Sequence, residues 1–496
     1  MILLVQNSEL YNNDLRAMIM AFYPGEKLTV MKPVDVASVG RELHNEFTLC
    51  FTALFNEKRS MLKIEEKAEV KFFAYITGDY EDRKSFRNRL KLAAYQILSE
   101  FTERVLPWGS LTGVRPTKIA MQGLKENKTD QDIIADYERR YAATTEKAEL
   151  ALKVAKRETD IFVQENIQTT RDYALYIHIP FCPSRCLYCS FATFPIQQYK
   201  YRVPDYLAAL AKELQFISYV NRDRRLVSIY IGGGTPTSLG ELSFDNFLTE
   251  AVRYFDLSHL KEYTIEAGRP DSITEDKLHI MKEHGVTRIS INPQTMNTET
   301  LHIIGRNHTP EQFIRSFELA RKHGFGNINT DIIAGLPMEK LRNMEKTLSI
   351  LKKLRPESLT VHSLAVKRAA HLKEELTTYQ EYINHDAKEM QIMAADYAKH
   401  MGMKPYYMYR QKNIAGNLEN VGYAKPGTEC LYNMLIMEEK IDIFGAGAGA
   451  STKLVNPFKG NVERIANSKN VDDYIERIED MLDKKRESVG NTRINS

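Results

Sequence analysis

Three cysteines, Cys182, Cys186 and Cys189, fall within eight consecutive residues with the spacing C-x3-C-x2-C, directly after the apolar run 175–179. A strand that empties into a loop of thiolates fixes a soft metal centre at the strand's end. Three local ligands are one fewer than usually hold an electron-carrying iron–sulfur cubane, and the remaining cysteines, Cys50 and Cys430, are far away in sequence. One iron would stay open to a small molecule, as the open position of a catalytic zinc does. A zinc site of Cys182, Cys186, Cys189 and His178 is the alternative, since Cys3His is a common structural set. Zinc ribbons, however, usually pair two separated C-x2-C knuckles. Five cysteines, an odd number, with no export signal describe a reduced cytoplasmic chain without disulfides.

Around this loop strand and helix patterns alternate. Strands are predicted at 175–179, 226–231, 262–266, 288–291, 327–333 and 358–364, with helices at 203–220, 243–255, 272–284, 309–323 and 342–354 between them. Repeated βα units of this length imply a parallel sheet with right-handed crossovers, and such sheets bind ligands at the carboxyl ends of their strands. Polar punctuation gathers at those ends. The second strand closes in Gly232-Gly-Gly-Thr-Pro-Thr237, where glycines let backbone amides approach a ligand, although a plain tight turn reads the same. It is not a phosphate-binding Walker loop, because the Gly-Lys-Ser/Thr ending is absent. The third strand closes at Glu266, the fourth in Ser290-Ile-Asn-Pro-Gln294 ahead of Arg306, and the fifth near Asp331.

The flanks of the cysteine loop, Tyr176-x-His-x-Pro-Phe-Cys182 and Cys186-x-Tyr-Cys189-x-Phe191, resemble the oxygen-independent coproporphyrinogen III oxidase family of radical S-adenosylmethionine (SAM) enzymes. The resemblance covers the central segment nearly end to end. It implies an α/β fold: an incomplete (β/α)6 barrel over 166–370, with an added N-terminal α+β domain over 1–165 and a C-terminal α/β extension over 371–496. Periodicity alone does not separate that barrel from a flat doubly wound sheet. The resemblance further implies a 4Fe-4S cluster on the three cysteines, whose open iron chelates SAM, and reductive cleavage of SAM to a deoxyadenosyl radical. Tyr176, Gly233 and Glu266 match positions that bind the cluster-bound SAM. Tyr188, Gly234, Thr235, Gln294, Arg306, Asp331 and Ala365 match positions assigned to a second SAM, Tyr188 standing where the oxidase has Phe. A porphyrinogen substrate and a flavodoxin- or ferredoxin-like one-electron donor are the implied partners. The long first domain and the run Phe444-Gly-Ala-Gly-Ala-Gly-Ala-Ser451 look most like the coproporphyrinogen dehydrogenase branch. One departure points elsewhere: the oxidases have Cys-x-Cys after the third ligand, and Phe191 here is shared by haem-carrying relatives. A haem chaperone and a haem-modifying radical SAM enzyme are therefore the rival expectations.

The rest of the chain bounds these readings. Lys plus Arg number 68 against 65 for Asp plus Glu, so nothing suggests nucleic acid as a partner. No apolar run is long enough to span a bilayer, and the cytoplasm is the expected location. In the first segment, strands are predicted at 1–5, 46–55 and 69–76 and helices at 10–22, 83–104 and 138–164. The loop 106–118 holds the single tryptophan; Arg115 and Lys118 could meet a carboxylate there, although a Gly/Pro cluster is ordinary loop punctuation. Helices are also predicted at 374–401 and 471–486. The stretch 406–413, four aromatics or Met beside Arg410 and Lys412, could receive a tetrapyrrole carrying carboxylates or simply pack as a strand.

Overall fold

The computed structural model describes residues 1–35, 47–113, 115–364, 386–411, 417–456 and 461–494. Ala365 and Lys412 lie outside them. The described chain forms two compact units, one made of the described residues of 1–156 and 408–420 with 363 and 364, the other of the remainder.

The first unit is built on a five-stranded sheet of β1 (Ile2–Gln6), β2 (Leu28–Met31), β3 (Leu49–Leu54), β4 (Arg59–Glu66) and β5 (Glu69–Thr77), in the order β2-β1-β3-β4-β5. β1 runs parallel to β2 and β3, while β4 and β5 fold back antiparallel. Leu4, Phe51, Leu62 and Ile64 from its inner face pack with Leu15, Met18 and Phe22 of helix Asn12–Phe22, and with Phe86 and Leu90 of helix Arg83–Thr102. β2 and β4 were absent from the expected strands. The inward set of β4, Ser60, Leu62 and Ile64, alternates with Arg59, Met61, Lys63 and Glu65, and the charges dilute the signal. The helix expected over 138–164 is two, Asp130–Tyr141 and Thr145–Gln164, because Ala142 caps the first in the left-handed conformation.

The second unit carries β6 (Asp172–Ile179), β7 (Arg225–Gly233), β8 (Glu262–Glu266), β9 (Arg288–Ser290), β10 (Ile328–Ala334) and β11 (Ser358–Ser363). These run side by side in chain order as the incomplete barrel, with β6 to β10 all parallel. The strands are buried along most of their length, as in sheets covered by helices on their outer face. The sheet continues past both edges. β12 (Lys404–Tyr409) and β13 (Asn420–Ala424) follow β11, β13 pairing antiparallel with it. On the far side β14 (Asp442–Ala446) pairs parallel with β6, followed by antiparallel β15 (Ser451–Asn456) and β16 (Asn461–Ala466), for eleven strands in all. The helix expected at 471–486 is two, Val471–Glu476 and Ile478–Ile494, and Ala387–His400 is the described part of the one expected at 374–401. Among the described residues no helix is long and apolar enough to cross a membrane.

Candidate radical site at the barrel rim

β6 ends at Ile179, and the chain turns through Pro180 into the cysteine loop. That loop is tied down at its flanks: Phe181 pairs with Phe194 and Cys182 with Pro195, and the Leu187 amide donates to the Ile304 carbonyl at 3.1 Å. All three thiols are free and partly exposed. The Sγ of Cys182 lies 3.5 Å from the Thr235 hydroxyl, and Arg269 donates to the Sγ of Cys186 at 3.5 Å. Burial pushes the Cys182 thiol up to about 11 and raises Cys189 as well, so neither is a thiolate by its protein surroundings alone.

The glycine turn after β7 sits beside this loop. Its amides are already committed: Gly233 donates to Glu266 at 3.2 Å, Gly234 to the Ile179 carbonyl at 2.8 Å and Thr235 to the Phe181 carbonyl at 2.7 Å. The turn positions acceptors, and the group it positions is Glu266. Gly233 has φ +98°, and a Cβ there would lie 1.6 Å from Cδ2 of His178, so the ring of His178 occupies the space a side chain would need.

Glu266 ends β8. One carboxylate oxygen accepts from the Tyr230 hydroxyl at 2.6 Å and the other from Gly233. Burial, only partly offset by the Tyr230 bond and reinforced by the charge of Asp331, raises this carboxyl to about 7. Three tyrosine rings wall the same place. Tyr432, from helix Leu431–Glu438, stacks on Tyr230 at 4.5 Å and on Tyr176 at 5.8 Å.

Farther round the rim, Arg306 is buried and spends its guanidinium on the Tyr188 hydroxyl (3.2 and 3.1 Å) and on the carbonyls of Gly268 and Asn292. Gln294 holds a left-handed backbone at φ +64°, its amide bound to the Asp331 carbonyl, and its buried Oε1 has no partner among the described residues. A non-glycine residue in that region costs backbone strain, and the unsatisfied acceptor beside it costs desolvation. Burial would raise Asp331, but hydrogen bonds and charge from His362, with Asn329 and Thr360, outweigh it and hold the carboxyl below its ordinary value.

The profile of the radical SAM superfamily matches residues 176–351. The oxygen-independent coproporphyrinogen-III oxidase-like protein HemZ of Bacillus subtilis (strain 168) is 39% identical over 423 residues, covering 85% of this chain and 84% of that protein. The chain belongs to this radical SAM family. The heme chaperone HemW of the same organism is 33% identical over 299 residues, 59% of this chain and 75% of HemW. Coproporphyrinogen III oxidase (HemN) from Escherichia coli, described as a radical SAM enzyme, superposes with a TM-score of 0.52 at 22% identity, over 65% of this chain and 73% of its own, a likeness of fold.

Membership of the radical SAM family implies use of SAM and an iron–sulfur cluster. The donor set suits the cluster: three thiols on one loop, none in a disulfide, with the Arg269 guanidinium donating to the Sγ of one of them. Among the described residues no three His, Cys, Asp or Glu side chains converge on one point as they stand. The zinc alternative loses its fourth ligand, because His178 turns Nδ1 to the Ala448 carbonyl and packs its Nε2 edge on Gly233. Of the sequence-predicted residues, Tyr176, Gly233 and Glu266 lie together, as do Tyr188 with Arg306, Gln294 with Asp331, and Thr235 with Cys182. Sequence reasoning missed Arg269, Tyr230, His362 and Tyr432, and it weighed His178 only as a zinc ligand. Arg269 was within reach as a cation three residues past a strand-ending glutamate, whereas Tyr432 joins the rim only through tertiary packing. Arg410, weighed as a propionate partner, is buried and donates instead to Leu111 and Asn417 of its own unit.

Proposed function

We propose that the chain is a radical SAM oxidoreductase that converts coproporphyrinogen III to protoporphyrinogen IX without oxygen, in porphyrin and haem biosynthesis. Two propionate side chains each lose CO2, a proton and two electrons to become vinyl groups. The observation that carries this reading is the 39% identity to HemZ across 85% of the chain, with the cysteine loop and Glu266 on one rim.

In this reading Cys182, Cys186 and Cys189 hold a 4Fe-4S cluster. When bound, the reduced cluster and SAM supply an oxidant strong enough to take a hydrogen atom from an unactivated carbon. The chain's own work is positioning. Glu266 offers the remaining lone pairs of its carboxylate to the cofactor's ammonium, oriented by Tyr230 and the Gly233 amide, while Tyr176 closes the adjoining wall. Tyr188, Gly234, Thr235, Gln294, Arg306, Asp331 and Ala365 are assigned to a second SAM; the unpartnered Oε1 of Gln294 and the Asp331 carboxylate supply acceptors for its donors. A flavodoxin- or ferredoxin-like protein delivers the electron. Anaerobic incubation of cluster-reconstituted protein with SAM, reductant and coproporphyrinogen III is expected to yield vinyl product and CO2.

The second reading is a haem chaperone, favoured by the match to HemW and by Phe191. Tight stoichiometric haem binding with SAM cleavage but no vinyl product would establish it in place of the first.

A further inference from the structure

β5 is the last strand of the first unit's sheet, with β4 as its one strand neighbour. Among the described residues, its backbone makes no hydrogen bond on the side away from β4. Natural edge strands are blunted by charge, proline, bulges or brevity, because an open edge is a template for another strand. β5 is nine residues long and its bulge sits only at its start, where Ile64 pairs with Phe72 and Glu65 with Val70, leaving Lys71 as the extra residue. After the bulge comes Phe72-Phe-Ala-Tyr-Ile-Thr77, a straight run with no charge and no proline.

The side chains of this run divide by face. Phe72, Ala74 and Ile76 pack on the unit's core. Phe73 and Tyr75 face outward, 61% and 49% exposed, with ring centroids 5.7 Å apart and Arg59 lying 3.8 Å over the Tyr75 ring. Aromatic side chains in two successive outward positions at an open edge are an interface composition rather than a solvent one.

We propose that β5 pairs with β5 of a second copy of this chain, antiparallel about a two-fold axis through Ala74, to make a continuous ten-stranded sheet. The run is complementary to itself in this register. Phe73 stands opposite Tyr75 of the second copy, and Tyr75 opposite its Phe73, which gives an aromatic ladder on one face; Phe72 stands opposite Ile76 on the other. No like charges meet within the run, Lys71 is held by Glu69 at 2.6 Å, and a formal charge of +3 leaves little repulsion between copies.

Light scattering coupled to size exclusion, on the full chain over a wide concentration range, is expected to give twice the 57.1 kDa chain mass. Phe73→Lys puts lysine at an exposed position, so the fold should survive, as circular dichroism will verify, and the dimer should be lost. In this register residue 73 faces residue 75, so adding Tyr75→Glu to Phe73→Lys sets opposite charges across the axis and should restore the dimer. A wild-type monomer at all concentrations, a Phe73→Lys dimer, or a double variant that stays monomeric would each overturn the assignment.

Discussion

A carboxyl raised to about 7 makes Glu266 the residue whose titration can be followed. Its ordinary value is 4.5, so the folded state keeps a proton that the unfolded chain releases as pH rises from there. Folding stability therefore falls through the interval between 4.5 and about 7, by on the order of 3 kcal/mol, and Glu266→Gln removes that slope. Urea unfolding of both proteins at several pH values checks it; parallel profiles would mean that the carboxyl is ionised throughout. Cofactor affinity should move the opposite way, strengthening as the carboxylate forms near pH 7, and should lose that pH dependence in Glu266→Gln. At Gly233 steric exclusion decides. With φ +98° and the His178 ring where a Cβ would go, Gly233→Ala should abolish SAM cleavage while the other strand ends stay in place, read by product chromatography of deoxyadenosine. The cysteines were legible in the sequence because metal-ligand spacing is a local code. Tyr432 was not, because it arrives from a distant helix, and His178 was legible only as a metal-ligand candidate, because it acts through the space it fills.

Among the elements, the carboxyl-terminal helix Ile478–Ile494 has a reach that its sequence hides. Lys485 is fully buried and binds Glu213, equally buried in helix Val203–Val220, together with the Gly445 carbonyl. Glu213 also accepts from the Gly447 amide, from Asn467 and from Tyr474. The next residue, Ala448, offers its carbonyl to His178, whose own carbonyl accepts from Tyr206 at 2.6 Å. The glycine run after β14 is thus a clamp on the end of β6; a Cβ on Gly447 would lie 2.4 Å from the His178 carbonyl oxygen. Lys485→Met leaves a buried carboxylate without its cation and should cost about 3 kcal/mol or more of stability. Adding Glu213→Gln should recover part of that loss, and chemical denaturation of the two variants tests both statements. From the sequence the region reads as an amphipathic helix over 471–486 and a glycine run known only by its family resemblance. Periodicity gave the barrel strands correctly because each is a short apolar run between turns, yet it concealed the break at Arg477, where the backbone leaves the helix at φ −114°, since no proline or glycine announces it.

For the whole molecule, the single tryptophan offers a probe of how the two units share their stability. Trp108 is fully buried in the first unit, its indole N–H donating to Glu419 at 2.7 Å, and Lys147 pairs with the same carboxylate. Glu419 belongs to that unit, but the next residues form β13 of the eleven-stranded sheet, and Tyr406 and Tyr407 of β12 lead into Met408 of the first unit. Among the described residues the chain passes from one unit to the other at 156, 362, 407 and 420, and once between 364 and 386. Separate domains joined by one linker can unfold independently. Here, unfolding of the first unit would release the ends of two strands that the second needs. Tryptophan fluorescence and the visible absorbance of the reconstituted iron–sulfur protein should therefore change at the same denaturant concentration, although one reports on the first unit and the other on the barrel rim. A tryptophan transition well before the loss of cluster absorbance would show that β12 and β13 hold their places in the sheet without the first unit.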